Sequence, residues 1–201
     1  MKISIFDRIL LLLTGLLAAY QIAVGIDGLS TLPMIAYSTA FGVLLVAGLL
    51  LLILGFEVLD SPIVVMVSTI IPLSLATGLV WQHLTYYRIA YLVFAIAGLL
   101  AIIITRALPI KNRLPLFVLV IVHGIAGLTI FLLPIILVFS GLAPSGFLLI
   151  SVGGTLIGLG GLFLALLKAG KPLFSRETIL RLLPFLLLSM TAAFVAGFAL
   201  G

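Results

Sequence analysis

Cysteine is absent from this chain of 201 residues. Its absence excludes disulfides, thiolate nucleophiles, iron–sulfur clusters and cysteine-held metals in one step. Charge is scarce as well. Lys, Arg, Asp and Glu together make up 7% of the residues, where a soluble domain carries about 25%. A water-soluble fold needs a polar skin, and this composition cannot supply one. No stretch is long or polar enough for a separate soluble domain, so residues 1–201 read as one integral membrane domain. Reaction motifs are missing too: there is no HExxH, no GxSxG and no phosphate loop. The chain has two histidines in all. No catalytic residue and no metal-ligating set is identified, and the sequence specifies no cofactor.

What is there is hydrophobic: 65% of the residues. A helix needs about 20 apolar residues to cross the roughly 30 Å hydrocarbon core of a bilayer. Runs of that length repeat along the whole chain. The fold class is therefore all-α, a polytopic transmembrane bundle of about seven helices, expected near 6–26, 34–55, 62–84, 87–106, 114–139, 145–168 and 176–200. The first run follows Lys2 and Arg8 and continues from Ile9 to Gly25. It exceeds the about 7–15 residues of a cleaved leader's apolar core, so it reads as the first helix. Turn chemistry marks the breaks. Asp60-Ser61-Pro62 offers a cap before a proline at the first helical position, and Ser175 caps the last helix. Glu177 then sits in that helix's first turn, with Arg181 at i+4 in the favourable order for an ion pair.

The net charge of +5 would suggest nucleic acid in a soluble protein. Here the bases lie in short loops, which topology explains better, and no nucleic-acid partner is expected. With seven crossings, Lys2, Arg8, Arg106, Lys111, Arg113, Lys168, Lys171, Arg176 and Arg181 share one side, and Arg88 alone falls on the other. The positive-inside rule then puts the N-terminus in and the C-terminus out. The setting expected is the plasma membrane of a prokaryote. One turn on the inner side, Glu57 to Asp60, has two acids and no base. These acids are expected to pair with the neighbouring basic loops.

Trp81 and the tyrosines Tyr20, Tyr37, Tyr86, Tyr87 and Tyr91 all map to the outer half of the first four helices. Tyr and Trp favour the headgroup region, so a belt is expected. The alternative is an outward-facing pocket holding Tyr20, Gln21, Tyr37 and His83. His123, inside the fifth helix, is the more informative histidine, because an ionisable residue in mid-membrane is by default a site hypothesis. No Asp or Glu lies at its depth, so a carboxylate–histidine proton path has no support. At 1.5 Å per residue, His83 stands roughly 30 Å and His123 roughly 15 Å along parallel helices. A depth difference of about 15 Å argues against the two as ligands of one haem. Pro72, Pro134 and Pro184 should kink helices three, five and seven. In helix six, Ser151, Gly154, Gly158 and Gly161 form a strip nearly bare of side chains, suited to close helix packing. Ala193 and Gly197 of helix seven have matching spacing.

Rhodopsins and G-protein-coupled receptors have the opposite orientation, and no lysine stands mid-way along helix seven to hold retinal. The orientation resembles that of the hemolysin III and progestin-receptor-like families, whose zinc-binding histidines and carboxylate have no counterpart here. The sequence thus reads as a non-catalytic multi-pass protein, a subunit or scaffold packing against lipids or other membrane-protein subunits. The alternatives are a small transporter or channel for a small or apolar solute, then a membrane haem or pigment protein or an intramembrane enzyme.

Overall fold

Three helix starts are capped by serine hydroxyls. The structure, a computed structural model, describes residues 3–108, 110, 113–168 and 170–201, leaving aside the side chains of Pro62 and Lys168. Lys2 and Lys111, which entered the charge reading, lie outside the described residues. Among the described residues there are seven α-helices and no strand. They are α1 (Ile5–Val24), α2 (Thr31–Leu54), α3 (Pro62–His83), α4 (Arg88–Ala107), α5 (Leu114–Phe139), α6 (Leu148–Lys168) and α7 (Arg176–Ala199). All seven are long and apolar enough to cross a bilayer.

Ser4 and Asp7 form a reciprocal capping box that opens α1, with Asp7 buried inside it. Ser61 Oγ accepts from the Ile63 N–H at 3.3 Å, and Ser175 Oγ from the Thr178 N–H at 3.1 Å. Two starts differ from expectation. α2 begins at Thr31, ahead of Pro33, because a proline in the first turn lacks an N–H that would be orphaned anyway. α6 is preceded by a 3-10 turn, Ser145–Phe147, of the tighter kind common at helix N-termini.

Six helices close a ring in which α1 packs on α2, α2 on α3, α3 on α5, α5 on α6, α6 on α7 and α7 back on α1. α4 lies outside the ring, in the angle between α3 and α5. The ring is filled. Phe41, Leu79, Ile130, Ile150 and Phe194, from five helices, belong to one buried cluster. A second cluster joins Leu11 of α1, Leu51 of α2 and Leu180 and Leu183 of α7. It lies at the end where Arg176 Nη2 meets Asp60 Oδ2 at 3.0 Å. The acidic turn thus reaches a basic segment, as expected for Asp60. Both side chains are largely exposed, so the pair adds little stability. Glu57 makes no ion pair among the described residues. Arg181 pairs with Glu177 within α7.

Lipid tails are as apolar as leucine, so helix association depends on close packing and interhelical hydrogen bonds. Glycine supplies the packing. A Cβ on Gly153 would stand 2.6 Å from the Phe194 ring, and one on Gly154 would stand 2.8 Å from Ile130 Cγ2. Gly158 and Gly161 instead face open space. Gly153→Leu should therefore destabilise the bundle by about 1–3 kcal/mol through overpacking. Gly161→Ala should leave stability within about 0.5 kcal/mol or raise it slightly. Thermal melting of the two variants in detergent checks both, and equal losses would contradict this packing.

Candidate functional site

The aromatic residues at the Tyr20–Trp81 end do not share one environment. Tyr20, Tyr86 and Tyr87 are exposed at the ends of α1 and α4, as belt residues would be. Tyr37 is fully buried in α2. Its ring lies against Gly78 of α3 and Phe198 of α7, and its hydroxyl donates to Gln82 Oε1 at 3.1 Å. Gln21, near the end of α1, donates from Nε2 to the Gly25 carbonyl and so covers a helix C-terminus. Gln21 and Tyr37 border one small cavity of about 20 Å³ between α1 and α2, which has room for about one water. Tyr20 and His83 do not line it. The imidazole of His83 stacks edge-on against Phe147, with centroids 5.3 Å apart, and its Nε2 is buried without a hydrogen-bond partner. The structure thus brings together Gln21 and Tyr37 of the sequence-derived set, and holds Tyr20 and His83 apart from them.

His123 sits in the first half of α5 and is half-buried. Its Nδ1 is buried and unpartnered, as is Arg106 Nε of α4. Neither cavity described in this section reaches the ring.

The helix-six strip divides in the middle. Ser151 Oγ donates across to the Phe131 carbonyl of α5 at 2.7 Å, and Gly154 lies on Ile130. Phe131 lies three residues before Pro134, the proline inside α5. The lower half, Gly158 and Gly161, touches nothing. The partner of the upper half is α5. α7 meets a different face of α6, through Gly153 against Phe194 and Gly197 against Ile150. One residue is 100° of helix, and that offset moves Gly153 off the strip.

A second, larger opening lies elsewhere. A groove of about 510 Å³ runs between α4 and α5, floored by Val80 and Leu84 of α3. Tyr87, Tyr91 and Phe94 form one wall, and Ile125, Thr129 and Leu132 contribute to the other. Tyr91 Oη is buried in it without a partner. Thr129 lies across from it, and the Thr129 hydroxyl donates to the Ile125 carbonyl at 2.8 Å. Sequence reading missed this site because Tyr91 looks like one more belt tyrosine. The available signal was its position, a full turn inside Tyr87. Asp7 was missed as well, although Ser4-x-x-Asp7 is a capping-box spacing.

An imidazole buried without a partner costs stability, so His123→Leu should be neutral or raise the melting temperature. A fall of more than a few degrees would reveal a hydrogen bond on which the fold relies. Compared with family models, with curated proteins and with solved structures, the chain matches none.

Proposed function

We propose that this chain is a non-catalytic membrane component, a subunit or scaffold whose outer faces pack against lipids or other membrane proteins. The carrying observation is the filled interior of the ring. Phe41, Leu79, Ile130 and Phe194 are buried at its heart, and the hydroxyls beside them are turned onto backbone. Thr14, Thr69, Thr77, Thr105 and Thr191 each donate to the carbonyl four residues back on their own helix. Such hydroxyls have no donor left for a passing solute. A small transporter is the second reading. Pro72, Pro134 and Pro184, placed inside α3, α5 and α7, favour it, because kinked helices can open a path by bending. Copurification in mild detergent, with identification of what stays bound, separates the two. A stoichiometric membrane-protein partner supports the first. Solute flux in proteoliposomes of the purified chain supports the second and overturns the first.

The orientation belongs to the same proposal: N-terminus in the cytoplasm, C-terminus outside, in a prokaryotic plasma membrane. Arg8, Arg106, Arg113, Lys171, Arg176 and Arg181 stand at the inner helix ends, and Arg88 at the outer. Reporter fusions after Asn112 and after Pro144 are expected to report cytoplasm and exterior respectively. The reverse pattern would invert the orientation, and same-side reports would contradict seven crossings.

A further inference from the structure

We draw no further inference here: the strongest candidate, the apolar trough of about 510 Å³ between α4 and α5 with Tyr87, Tyr91 and Phe94 along one wall, is an unpartnered face, and nothing in the structure shows what covers it.

Discussion

In hydrocarbon no water stands ready to satisfy a polar group, and the rest of this structure depends on that constraint. Backbone groups meet it by forming helices. Side chains meet it locally: the buried threonines each return their proton to their own helix. Such bonds satisfy the hydroxyl but tell a helix nothing about its neighbours. Interhelical specificity therefore rests on few contacts. Ser151 reaches Phe131 three residues before Pro134, and Tyr37 reaches Gln82 at the Tyr20–Trp81 end. Around them, Gly78, Gly98, Gly153 and Gly154 admit a ring or a branched side chain from the next helix. An interhelical bond of this kind contributes about 0.6–1.7 kcal/mol, comparable to the cost of filling one of these glycine contacts.

Helix number and helix ends were legible because they depend on local chemistry. Ser61 ahead of Pro62 and Ser175 ahead of Glu177 act within a few residues of themselves. The order of helices around the ring was not legible. In a soluble bundle the polar stripe tells which face is outside. Here the outside is lipid, and Leu16 facing it looks like Leu11 facing the core. So nothing in the sequence says that α3 would touch α5 directly, or that α4 would stand outside. The helix-six strip shows the same limit at finer scale. Its small residues were visible, but which neighbour they would serve, and that Gly158 and Gly161 would stay bare, depends on crossing geometry that composition does not encode.

Candidate site residues were legible by type and not by grouping. Gln21, Tyr37, His83 and His123 stand out because polar side chains are rare in such a chain. The structure places the first three beside different neighbours, a helix end, an amide and a phenylalanine ring, and leaves His123 Nδ1 without a partner. Rarity signals that a polar group must find a partner, and the cheapest partner is often on its own helix. Tyr91 reverses the case. It was unremarked among five tyrosines, yet it is the one whose hydroxyl is buried without an acceptor.

The exclusion of α4 from the ring links these points. Once α3 and α5 pack directly, α4 can touch them only from outside, with Ala95, Gly98 and Ile102 as its inward residues. That seam is narrow where it is small and wide where Tyr91 and Phe94 enter it. A trough of that size at a protein–lipid boundary cannot stay empty, because unfilled apolar space forfeits dispersion contacts on every wall. Water would fill it badly, having few polar partners there. Hydrocarbon fills it well. The position of one helix outside a closed ring is thus enough to leave an apolar trough between α4 and α5.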